Sequence, residues 1–248
     1  MEKQNSCCCG SGGSRKMKNC VVCGKPLLYF TEEEQLECRL CHQMKPANAA
    51  CADGHFICDD CHSGGGAAVL DLLLHSEETD PVLLFLQAVR TEDVHLHGPE
   101  HHSIVPCVLL TAYRNNGGKL DYESALREAW KRGKKMAGGS CGYLGVCGAA
   151  AGAGIFASIV TGATPLTGGK WALPQRLTAA CLEALADIGG PRCCKRTGRI
   201  AIETAAAFSE REFGVAMPCS RPKCRYSMWN TECIKDRCPF CSPGENES

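Results

Sequence analysis

Residues 138–167 read GGSCGYLGVCGAAAGAGIFASIVTGATPLT, without one charged side chain. No other stretch constrains the fold as much. From Cys147 onward the small residues Gly148 to Gly154 let neighbouring backbones pack closely, and Ile155, Phe156, Ile159 and Val160 recur at the spacing of an apolar helix face. The segment is expected to be a helix over 148–161, buried on nearly all sides. A membrane span is disfavoured, because Ala and Gly contribute little to insertion, Pro165 interrupts the run, and about 20 strongly apolar residues are wanted.

The chain has 248 residues, enough for one generous domain plus a small appendage. Its 27 basic and 27 acidic residues balance, so no global field points to a nucleic acid or an anionic membrane. Its 21 cysteines are the unusual number. The start, MEKQNSCCCGSGG, has no apolar stretch, so export and a disulfide framework are not expected. The reading is a cytoplasmic metalloprotein, from an anaerobic setting if any of the metal is iron–sulfur. Residues 1–18, with the adjacent Cys7, Cys8 and Cys9, are expected to be disordered.

The ligand spacing is regular from Cys20: Cys20-x-x-Cys23, Cys38-x-x-Cys41, then Cys51, His55, Cys58 and Cys61. These eight residues suit two tetrahedral zinc ions in a small module over 19–63 that folds through its metal. Residues 38–61 resemble a RING-type cross-brace. That resemblance implies one site of Cys38, Cys41, Cys58 and Cys61 and another of Cys20, Cys23, Cys51 and His55; consecutive pairing is the competing assignment. His42 and His62 are expected near the metals or in solvent.

Beyond a hinge at Gly64 to Gly66 the fold class is mainly α, a helical domain over 67–214 around the Gly/Ala-rich helix. Helices are expected over 67–75, over 80–90 with Asp80 as N-cap, from Pro106, over 121–135, over 174–188 and over 198–213. His95, His97, Glu100, His101 and His102 fall within eight residues, with Pro99 opening a helical turn, and His97, Glu100, His101 and His102 are the candidate catalytic groups. Cys193 and Cys194 are flanked by Arg192, Lys195 and Arg196, which would lower the thiol pKa and bind an anionic substrate. Residues 215–248 form a cysteine-rich tail, where Cys219, Cys224, Cys233, Cys238 and Cys241 can hold one further zinc or iron–sulfur centre with a ligand to spare.

The double knuckle, HGPEHH, GGSCGYLGVCGAA and GGPRCCKR together resemble a domain-of-unknown-function family found largely in anaerobic archaea and bacteria. Residues 141–196 are more distantly similar to the catalytic region of iron–sulfur L-serine dehydratases and L-cysteine desulfidases. Those enzymes also run from a Gly-Cys segment through an Ala/Gly-rich helix to a later cysteine pair, although there the pair is not adjacent. The similarity implies a [4Fe-4S] cluster held by three cysteines, with Cys141, Cys147, Cys193 and Cys194 as the candidate ligands, an open fourth iron and a small carboxylate-bearing substrate. Two readings follow. One is an iron–sulfur lyase or desulfidase with these cysteines and the histidine segment in one pocket. The other is a non-enzymatic zinc adaptor or regulator.

Overall fold

The computed structural model describes residues 20–62, 66–92 and 94–241, so the segment before Cys20, with Cys7 to Cys9, lies outside the described residues. The N-terminal module is built on an antiparallel hairpin of β1 (Leu27–Glu37) and β2 (Met44–Cys51), with register Leu27↔Cys51 to Glu37↔Met44 and a bulge between Tyr29 and Glu34. An isolated two-stranded hairpin is marginal in water. Here its turn carries Cys38 and Cys41 and its last residue is Cys51, so both ends are at clusters of metal-ligating groups. The cysteine spacing had marked the module but not its strands, whose alternation is weak. A short α1 (Asp59–His62) closes the module.

From Ala67 to Phe213 the chain is helical: α2 (Ala67–Leu74), α3 (Pro81–Ala88), α4 (Glu100–Asn115), α5 (Tyr122–Gly133), α6 (Ser140–Tyr143), α7 (Gly148–Thr161), α8 (Gly169–Ile188) and α9 (Cys194–Phe213), and the cysteine-rich tail that follows is irregular apart from short 3-10 turns at Ser227–Trp229 and Lys235–Arg237. Asp80 caps α3 as expected, its carboxylate accepting from the Val82 and Leu83 amides. Helix α7 has the expected bounds and packs against α4, α5, α8 and α9. Phe156 joins Tyr113 and Phe213 in edge-to-face contacts at the centre of the core.

Three boundaries differ from expectation. Pro106 lies inside α4, and Pro174 lies inside α8. Each proline removes one amide donor, and tertiary packing maintains the helix across it. Helix α9 starts at Cys194 rather than Gly198, with Cys193 at the N-cap, which puts the adjacent cysteines at a helix start. Among the described residues no helix is long and apolar enough to cross a membrane.

The module docks on the helical part through named contacts. The Asp59 carboxylate accepts from the Gly138 amide at 2.8 Å, Tyr143 donates its hydroxyl to the Phe30 carbonyl at 2.8 Å, and Lys134 pairs with Asp60 at 3.2 Å. Lys134, at the C-cap of α5, therefore bridges the two parts. A cavity of about 430 Å³ lies along this junction.

Candidate functional site

The eight knuckle ligands fall into two groups, Cys20, Cys23, Cys51 and His55, and Cys38, Cys41, Cys58 and Cys61, with all ligand atoms in each within 4.8 Å of one another. That is the cross-brace pairing, not the consecutive one. The Cys23–Cys51 and Cys41–Cys58 sulfurs stand 3.7 and 3.8 Å apart. A tetrahedral ion with bonds of about 2.3 Å to sulfur requires an edge of about 3.8 Å, so both groups can hold a metal ion such as zinc. Burial works against ionisation of Cys38, but the amides of Cys41 and Cys58 bring its thiol down to about 6.

His62, the last residue of α1, was expected near the knuckle metals or in solvent. The structure instead turns it away from the knuckles and into the junction, where it meets His95 and Glu100. The ligand atoms of these three residues lie within 4.8 Å of one another. Glu100 is buried at the start of α4; its carboxylate accepts from the His95 amide at 2.8 Å, and the Nδ1 atoms of His62 and His95 stand 3.3 and 3.7 Å from its oxygens. Burial would push the Glu100 carboxyl up, yet His62 and His95 beside it hold it well below the usual range. Nδ1 of His62, Nδ1 of His95 and Oε2 of Glu100 are all buried without a hydrogen-bond partner. Buried polar atoms are rarely left unmatched. Three that converge fit a divalent cation, since imidazole and carboxylate are its ordinary donors.

The other histidines divide by role. His101 is enclosed: Nδ1 donates to the Gly98 carbonyl at 3.1 Å and Nε2 accepts from Lys195 Nζ at 2.9 Å. Both nitrogens are committed, so the ring secures the loop before α4. His102 donates from Nδ1 to the Met136 carbonyl at 3.0 Å, and its ring lies against Gly148, where a Cβ would stand 2.0 Å from His102 Cδ2. His97 points Nε2 at Asn230 Oδ1 (3.2 Å) and Glu232 Oε2 (3.1 Å), leaving Nδ1 unpartnered. Burial first, then Arg192, pulls the His97 pKa down to about 4, so the ring is neutral near pH 7. His95, His97 and His102 all line the cavity.

The three cations after Gly190 also separate. Lys195 is buried and donates to the carbonyls of His95 (2.5 Å) and Leu96 (3.0 Å) as well as to His101. Arg196 is buried and donates to the carbonyls of Gly189 and Pro191. Both hold loops. Arg192 lines the cavity, lies over the Tyr29 ring at 5.0 Å and reaches Glu232 at 3.8 Å. The expected lowering of the cysteine pKa does not occur: burial outweighs the neighbouring cations and raises Cys193, and it pushes Cys194 up to about 12.

The four central cysteines divide between the cavity and its surroundings, with Cys147 a neighbour of Cys141 and Cys193 of Cys194. Cys141 and Cys194 line the cavity, whereas Cys147 and Cys193 are not among its walls. Cys193 has the tail thiols Cys224 and Cys238 as neighbours instead. Among the described residues the tail cysteines form no group of three within 4.8 Å.

No curated protein and no solved structure matches this chain. Residues 69–241 match a protein-family model described as a family of unknown function, DUF5714, a span that starts beyond the N-terminal module.

Proposed function

Because the chain belongs to the DUF5714 family, whose description assigns no activity, we propose from the chemistry of the cavity that it is a metal-dependent enzyme of lyase or desulfidase type acting on a small carboxylate-bearing molecule. One observation carries this reading: the unmatched buried atoms of His62, His95 and Glu100 converge beside a cavity that Arg192 also lines. A metal ion bound there supplies Lewis acidity toward a hydroxyl or thiol leaving group. The residues supply the rest. Arg192 takes the carboxylate through charge-assisted hydrogen bonds. His97, oriented by Asn230 and Glu232, offers its unpartnered Nδ1 as the proton acceptor. Cys194 remains a neutral thiol on the wall, and His101 with Lys195 fixes the loop that carries His95 and His97. In this reading the two N-terminal groups bind structural zinc, and the module's contribution to chemistry is His62.

The test is a metal titration of the full chain with cobalt(II), monitored by ligand-field absorption, beside an assay for ammonia or sulfide release from a panel of small hydroxy, amino and thiol acids. The expected result is one bound equivalent fewer in Glu100→Gln than in the native chain, and turnover that Glu100→Gln and Arg192→Ala each reduce at least 100-fold. An unchanged number of equivalents in Glu100→Gln would remove the metal from this site. Loss of that one equivalent with no turnover of any panel member by the native chain would leave a binding protein, the adaptor reading.

A further inference from the structure

Outside the cavity, a second set of thiols is prepared for a metal. Cys224 accepts from the Tyr226 amide and Cys233 from the Lys235 amide, each at 3.4 Å. The Phe240 amide reaches the Cys238 thiol, and the Arg196 amide reaches that of Cys193. The same device operates at the N-terminal groups, where the amides of Leu40 and Cys41 reach Cys38 and that of Asp53 reaches Cys51. An amide two or three residues on stabilises a thiolate that is bound to metal. Lys235 also takes a left-handed φ of 52°, as His42 does at 56° beside the Cys38–Cys41 knuckle. A lysine has no intrinsic reason to adopt that conformation.

The four thiols come from two places in the chain and are linked as neighbours in pairs. Cys193, at the N-cap of α9, has Cys224 and Cys238 as neighbours, and Cys238 has Cys224 and Cys233. Arg196 lies beside Cys193 and Cys238, and Arg199 beside Cys224 and Cys238. These cations suit a centre with net negative charge. The spacing differs from that of the N-terminal groups: among the described residues no three of these sulfurs lie within 4.8 Å of one another. One tetrahedral ion would draw all four together, whereas a cubane holds its thiolates further apart because each binds a different iron.

We propose that Cys193, Cys224, Cys233 and Cys238 hold an iron–sulfur cluster that fastens the tail to the start of α9. The adjacent cysteines then serve different sites, Cys194 at the cavity and Cys193 at the cluster. The fastened tail carries Asn230 and Glu232, which hold His97. The cluster lies outside the cavity and stands whether or not the cavity is catalytic. Cys219, whose charged neighbours are Asp80, Glu203 and Arg221, belongs to neither site.

The experiment is anaerobic purification and iron–sulfide reconstitution of the full chain, with iron, zinc and acid-labile sulfide analysis and visible absorption. About four iron and four sulfide per chain are expected in the native protein and in Cys219→Ser, falling at least fivefold in Cys193→Ser and in Cys224→Ser, with N-terminal zinc unchanged. Unaltered iron in Cys193→Ser overturns the assignment. So does a chain that takes up no iron and loses one zinc in Cys224→Ser, or a chain with no third thiolate centre at all. Should the serine variants aggregate, alkylation of the native chain decides: the four thiols must be protected together when iron is bound and exposed together when it is stripped, while Cys219 reacts alike in both.

Discussion

Lys195 shows how residues around the cavity become fixed. Its ammonium donates to the His95 carbonyl, the Leu96 carbonyl and His101 Nε2, so each of its three N–H groups has an acceptor although the residue is buried. A buried cation is tolerable only when hydrogen-bonded in this way. Lys195→Met leaves those acceptors unmatched, at about 1 to 3 kcal/mol each, so the variant should lose about 3 kcal/mol or more in chemical denaturation. A loss below about 1 kcal/mol would mean that the loop is held by other contacts. The sequence placed Lys195, Arg196 and Arg192 together beside two thiols, and that local view predicted an anion site. It could not show the direction of each side chain, which depends on the loop over 95–98 lying 100 residues earlier. His62 was misread for the same reason. Its neighbours in the chain are knuckle cysteines, whereas its partner in space is Glu100.

At the level of elements, α7 was legible because composition and structure coincide: glycine and alanine at 148–154 are needed wherever helices approach closely. The Gly154 hydrogen faces α8, where a Cβ would stand 2.1 Å from Thr178 Oγ1. Gly154→Ala should therefore cost about 1 to 3 kcal/mol by overpacking, even though alanine is the better helix former. Thr178→Ala removes the colliding oxygen and should restore most of the loss in the double variant, with a coupling of about 1 kcal/mol or more in a thermal-denaturation cycle. Additive effects would show that the two helices separate freely at this contact. Other elements were less legible. The prolines at 106 and 174 suggested helix starts, yet both lie within helices that packing carries across them. The hairpin was missed because the ligand clusters at its ends, rather than an alternating apolar face, accompany its strands.

On the scale of the whole molecule, the cysteine-rich module and the helical domain looked separable in the sequence, joined by a glycine hinge. The structure gives them a shared site, since His62 from α1 meets His95 and Glu100 from the helical part. Asp59, Asp60 and Phe30 anchor that arrangement through Gly138, Lys134 and Tyr143. Exposed salt bridges and single hydrogen bonds each contribute about 1 kcal/mol or less, so docking depends on the module's own integrity. That integrity in turn depends on metal, because the module's buried cluster consists of little beyond Cys38, Ala47, Ala50, Phe56 and Cys58. Cys58→Ser should thus act at a distance. It removes one N-terminal ion, unfolds residues 20–62 to protease, and frees His62 from the cavity. The core around Phe156 and Phe85 does not include the module, so the helical part should keep its far-UV circular dichroism and its cooperative melt. Affinity at the His62–His95–Glu100 site should nevertheless fall at least tenfold in cobalt titration, matching His62→Ala, which leaves the module folded. Unchanged affinity in Cys58→Ser, with the module digested, would show that His95 and Glu100 suffice and that the module does not complete this site.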